Sequence, residues 1–148
     1  METSECERIA AGYVTYVENL ARAGQANEAQ IHDGEREFEE LKQCIHAGPS
    51  DVAWELVLEV LRRVPDERLE VYAAGPLEDL VRRWGVDLVG KIEKEASRDA
   101  RFRWALGCIW LLVGDLPSTE LERIVHASDS QITPVDDHGI FKLIERTT

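Results

Sequence analysis

An all-α fold is what this sequence predicts, and three observations carry it. Apolar residues recur at spacings of three and four in at least five segments, the period of one buried helix face. The period-two alternation of a half-buried strand is nearly missing. Glycine, proline and capping residues fall between the periodic segments, where helices stop and start. The expectation is a compact array of about seven to nine short helices, stacked as helix hairpins and resembling an α-solenoid fragment. No clean repeat period supports a true repeat protein. With 148 residues, the chain suits a single all-helical domain over 1–148.

The first helix follows from Ile9, Tyr13, Val14, Val17, Leu20 and Ala21, behind a Ser4-x-x-Glu7 capping box, with Gly24 as the stop. Residues 25–33 read either as a polar connection or as part of a second helix. Phe38, Leu41, Cys44 and Ile45 share the next face, which Gly48-Pro49 breaks. Val52, Ala53, Leu56, Val57, Val60, Leu61 and Val64 make the widest stripe, with Trp54 and Leu58 flanking it. Pro65-Asp66 ends it and starts a short helix carrying Leu69, Val71 and Tyr72. Gly75-Pro76 reads as a hinge that restarts the chain, because proline is preorganised for a first helical turn. Leu77, Leu80, Val81 and Trp84 then face one way, and Gly85 reads as a C-terminal stop. A further helix carries Val86, Val89, Ile92 and Ala96. Asp99 caps a helix bearing Phe102, Ala105, Leu106, Ile109, Trp110 and Val113. Thr119-x-x-Glu122 opens the last clear helix. The tail over 128–148 is polar and partly docked, through Ile140, Phe141 and Ile144.

Composition bounds the function classes. The net charge is -12, and half of it falls on residues 1–48, with ten acids against four bases. Such a surface disfavours nucleic acid and anionic membranes and suits a basic protein partner. The plainer explanation of the charge is a well-solvated surface. The acidic start, Met1-Glu2-Thr3-Ser4-Glu5, is unlike a secretory signal, and no apolar run reaches bilayer length. Cys6, Cys44 and Cys108 are odd in number and far apart, which favours a reducing compartment. A cytoplasmic location is expected.

Catalytic signatures are missing: no phosphate-binding glycine loop, nucleophile elbow, zinc-protease motif or calcium loop. His32, His46, His126 and His138 have no ligand-like spacing, so no metal and no cofactor are expected. Glu78 and Asp79 are the one carboxylate pair worth weighing for acid–base chemistry. The favourable dipole at a helix start accounts for them equally well. Arg101 and Arg103 sit at a helix start where positive charge is unfavourable, so an ion pair with Glu78, Asp79 or Asp99 is expected. Trp84 and Trp110 lie on the core stripes. Trp104 lies off the Phe102, Leu106, Ile109 face and becomes a binding candidate if exposed.

From about Val52 to Trp110 the chain resembles a bacterial family of unknown function. The resemblance rests on Trp54, on Ala73-Ala74-Gly75-Pro76-Leu77-Glu78-Asp79-Leu80, on Trp84-Gly85 and Ile92-Glu93, and on Asp99-Ala100-Arg101-Phe102-Arg103 with Leu106 and Trp110. Position 84 departs from the pattern, where histidine is more usual. The resemblance implies a small helical bacterial protein with a core at about 50–127 and no assigned activity. It also implies that Glu78, Asp79, Arg101 and Arg103 belong together.

The functional expectation is a non-enzymatic, acidic protein-binding module, for example an immunity-like or antitoxin-like inhibitor of a basic partner. Two alternatives stand beside it: a small-ligand binder or enzyme using an acid/arginine cleft, and a structural or oligomerisation domain. Candidate residues are Glu78, Asp79, Arg101, Arg103 and Trp104. The oligomeric state is not legible in the sequence.

Overall fold

The computed structural model describes residues 1–22, 24 and 27–129, and these are helical with no strand among them. They divide into two compact units, the first up to Asp66 and the second from Glu67 onward.

In the first unit, α1 (Thr3–Ala21) packs on α2 (Glu35–Ala47) and on α3 (Ser50–Arg63), and α2 packs on α3. Of the ambiguous segment 25–33, the described residues 27–33 hold one 3-10 turn, Gln30–His32. Asn19, buried on α1, donates from Nδ2 to the Gln30 carbonyl at 2.7 Å and ties that turn down. The expected Ser4–Glu7 capping box does not form. α1 begins at Thr3 behind Glu2, which places Ser4 inside the helix.

The approach of α1 to the start of α2 depends on two glycines. Gly34 takes φ +81°, and a Cβ there would run into the carbonyl of Gly12. A Cβ on Gly12 would meet the Glu37 side chain. Beside this contact, the Phe38 ring stacks on Tyr13 at 5.1 Å between centroids and tilts against Tyr16 at 4.8 Å. Above it, the Arg8 guanidinium reaches from α1 to Glu37 and Glu40 on α2, at 3.2 and 2.9 Å. In α3 the buried surface runs round most of the helix, with Ala53, Trp54, Leu56, Val57, Leu58, Val60 and Leu61 all buried.

The second unit corrects the sequence reading in four places. Gly75-Pro76 does not separate two helices. α4 (Leu69–Tyr72) passes into a π turn, Ala73–Leu77, and on into α5 (Glu78–Arg98). Pro76 has no N–H to donate, and its ring crowds the preceding turn; the wider π turn is one way to carry it inside a helix. Gly85 does not stop the helix either. It is buried in mid-α5, where a Cβ would stand 3.0 Å from both methyl carbons of Leu116. The missing side chain is used for close packing. Helical structure therefore runs without interruption over 69–98, and six separate α-helices remain among the described residues, fewer than expected.

The third correction is that the helix after Asp99 is short: α6 (Ala100–Gly107) ends well before Val113. Its start is as expected, since an Asp99 side-chain oxygen accepts from the N–H groups of Arg101 and Phe102. α7 (Ser118–Ala127) begins directly behind Pro117, so Thr119 lies within it and caps nothing. α5 packs on both α6 and α7. Leu77, Leu80 and Val81 are fully buried, as their spacing predicts. The expected docking of Ile140, Phe141 and Ile144 lies outside the described residues.

The α1–α2 contact carries a pH dependence of known sign. The hydrogen bond from Arg8 holds the Glu40 carboxyl below its ordinary value. A depressed carboxyl stabilises the folded state above its unfolded pKa of about 4.3 and loses that contribution as pH falls through the folded value. The urea midpoint of the wild-type chain is therefore expected to exceed that of Glu40→Gln at neutral pH, and the gap should close on acidification below the ordinary carboxylate range. A gap that stays constant with pH would mean that the Arg8–Glu40 pair contributes nothing to stability.

Candidate functional site

The residues singled out by the sequence all lie in the second unit. Glu78 and Asp79 stand in the first turn of α5, and Arg101 and Arg103 in the first turns of α6. Glu78 does not pair with Arg101 or Arg103. Its Oε2 accepts from Arg82 Nη1 at 3.1 Å, one helical turn further along α5. Its Oε1 accepts from the backbone N–H of Trp110 at 2.6 Å. Arg103 also goes elsewhere: Nε meets Asp129 Oδ2 at 3.0 Å, and Nη1 donates to the carbonyl of Ala96 at 2.9 Å.

That last bond explains the arginine that looked misplaced. The guanidinium is unfavourable at the start of its own helix. However, Ala96 belongs to the final turn of α5, whose carbonyls have no intrahelical partner and carry the negative end of the dipole. Arg103 thus closes the C-terminus of the preceding helix. Arg101 is half-buried, and its backbone N–H is held by Asp99. Trp104 is 44% exposed, consistent with its place off the apolar face.

Arg82, which the sequence reading passed over, organises a polar cluster of its own. Its Nη1 donates to Glu78, its Nε to Asp115 Oδ2 at 3.2 Å, and its Nη2 to the Trp110 carbonyl at 2.9 Å. Asp115 Oδ2 also accepts from the Leu112 N–H at 2.8 Å. Between these anchors the chain turns at 112–115, where the Asp115 N–H donates to the Leu112 carbonyl at 3.0 Å and Gly114 takes φ +102°. A positive φ at the third position of a four-residue turn is the geometry that calls for glycine. Two signals for this cluster were present: the i, i+4 spacing of Glu78 and Arg82, and the Leu112-Val113-Gly114-Asp115 turn.

The clamp fixes which side chains face outward. Ile109 and Leu111 are buried at 4% and 1%, while Trp110 is 61% exposed and Leu112 36%. This is the alternation of an extended chain, in place of the helical stripe expected there. Trp110 is therefore no core residue. Val113, beside it, is also exposed, so the loop between α6 and α7 displays three large apolar side chains.

Other chemistry is sparse. Cys108 is half-buried, and its Sγ donates to the Trp104 carbonyl at 3.4 Å. Burial, and then the charge of Glu70, push its thiol up, away from the nucleophilic thiolate. Burial likewise raises Cys6 and Cys44. Among the described residues, no cluster of three or more His, Cys, Asp or Glu side chains could hold a metal ion, and no helix is long and apolar enough to cross a membrane.

Fold and site together define an all-helical protein that carries a clamped, tryptophan-bearing loop on its second unit. The chain belongs to a family of unknown function, DUF6869, whose model matches residues 24–131. The match takes in α2 to α7 and the whole clamp. No curated protein and no solved structure matches the chain.

The opposite orientations of neighbouring loop residues can be checked by stability. Leu111→Ala is expected to cost about 2–5 kcal/mol, as for a buried leucine. Trp110→Ala is expected to stay within about 0.5 kcal/mol of wild type, as for an exposed site. Urea unfolding of the two variants decides it, and a larger loss for Trp110→Ala would mean that its ring is packed.

Proposed function

We propose that this chain is a non-enzymatic protein-binding module. The observation that carries the reading is Trp110, 61% exposed on a loop whose backbone is fixed by Arg82, Glu78 and Asp115. A large aromatic side chain held out in water on a rigid support costs hydration free energy in the isolated chain. It loses little further entropy on binding, which is why such residues dominate protein interfaces. The acid/arginine cleft is the weaker reading. Both Glu78 oxygens accept hydrogen bonds within the chain, and Arg103 closes a helix end, so neither is presented to a substrate.

The charge of the chain favours a basic partner. Residues 1–66 hold fourteen acids against six bases, a net -8 of the total -12. An inhibitor of the immunity or antitoxin kind is one form such a module takes: its negative surface would cover a cationic site.

Cross-linking the chain in the cells that make it, followed by purification, tests this reading. One protein is expected in near-equimolar amount. Its non-cross-linked complex should weaken as salt rises and the screening length falls from about 10 Å at 0.1 M to about 3 Å at 1 M. A chain recovered alone at every cross-linker dose and salt concentration would contradict it.

A further inference from the structure

We infer that the loop over 109–115 is the docking site itself, and that it receives a segment of another protein in which a large apolar side chain is flanked by lysine or arginine. The inference rests on the protein-binding reading and adds the place and the chemistry.

The place follows from exposure. Trp110, Leu112 and Val113 are exposed on a run of five consecutive apolar residues, Ile109 to Val113, with Ile109 and Leu111 turned inward. Isolated exposed hydrophobes are ordinary on a protein surface, but a contiguous group on a rigid loop marks an interaction surface. The loop is held because its backbone is bonded to side chains at two residues: Trp110 through its N–H and its carbonyl, Leu112 through its N–H. A segment seated there meets a preorganised surface.

The chemistry follows from charge. Two carboxylates, Glu78 and Asp115, flank the loop backbone against one guanidinium, Arg82. Glu70 acts electrostatically on Cys108, where the loop begins, and is itself exposed. Three carboxylates, Glu70, Glu78 and Asp115, thus stand by this loop with the Arg82 guanidinium, on a chain whose net charge is -12. An acidic or neutral apolar segment would bring like charge, or none, to that loop. A segment with cationic flanks complements it, and indole faces attract ammonium and guanidinium groups directly.

The test uses the full chain and three fluorescently labelled short peptides: alternating lysine and leucine, alternating lysine and serine, and alternating glutamate and leucine. Polarisation titrations at moderate salt are expected to show the lysine–leucine peptide binding and the other two binding about tenfold more weakly or worse. Trp110→Ala should weaken the lysine–leucine peptide about tenfold, while Leu20→Ala, which removes an exposed apolar side chain from α1, should leave it unchanged. Glu70→Lys should weaken it as well. Equal binding by wild type and Trp110→Ala would overturn the site, as would equal binding of the lysine–serine peptide. Preference for the glutamate–leucine peptide would overturn the charge assignment. Each of these results leaves the protein-binding reading to its own test, since cellular cross-linking to a partner does not depend on where on the chain that partner sits.

Discussion

The guanidinium of Arg82 is the constraint on which the display in the second unit depends. One cation on α5 satisfies Glu78 from its own helix, Asp115 from the loop and the backbone carbonyl of Trp110. The two carboxylates, oriented by that cation, in turn accept the N–H groups of Trp110 and Leu112. The loop after α6 lies outside any helix, and its backbone polar groups must find partners somewhere. The clamp supplies partners for Trp110 and Leu112 from side chains and sets the register of this stretch. That register sends Ile109 and Leu111 inward and Trp110 and Leu112 outward. A lysine could supply charge at position 82 but not the planar fork that reaches three acceptors at once.

Glycine supports both units in the same physical way, through absent atoms. In the first unit, Gly12 and Gly34 let the start of α2 meet α1 along the backbone, so that Phe38 reaches Tyr13 and Tyr16. In the second, Gly85 gives Leu116 room against α5. Leu116 lies at the far end of the clamped loop, so the fit at Gly85 and the bonds at Arg82 hold the same segment against the same helix. The paired bonds from Arg123 on α7 to Glu93 add a polar contact further along α5.

Much of the fold was legible because periodicity reports which face of a helix is buried, and that depends little on tertiary detail. The stripe from Val52 to Val64, the Asp99 cap and the burial of Leu77, Leu80 and Val81 all follow from it. Breaks were misjudged because glycine and proline have uses other than ending helices. Gly85 serves packing, and Pro76 is carried through a π turn. Trp110 was misassigned because its spacing continues the Phe102–Ile109 stripe, while the helix itself stops at Gly107. In the candidate site, the carboxylate Glu78 was found and its partner was not. The spacing to Arg82 was visible, but the 28-residue span from Arg82 to Trp110 is set by how α6 leaves α5, which no local pattern encodes. Arg103 shows the same limit, since its partner carbonyl at Ala96 belongs to the end of another helix.

Amide hydrogen exchange of the second unit tests the clamp most directly. In the wild-type chain the Trp110 and Leu112 amides should be protected, as bonded groups are. In Arg82→Ala both should lose protection together, although Arg82 accepts a bond from neither, because Glu78 and Asp115 lose the cation that orients them. The amides within α5 and α7 should keep theirs. If Trp110 and Leu112 remain as protected in Arg82→Ala as in wild type, the loop is held by something other than this guanidinium, and the account of its outward tryptophan fails.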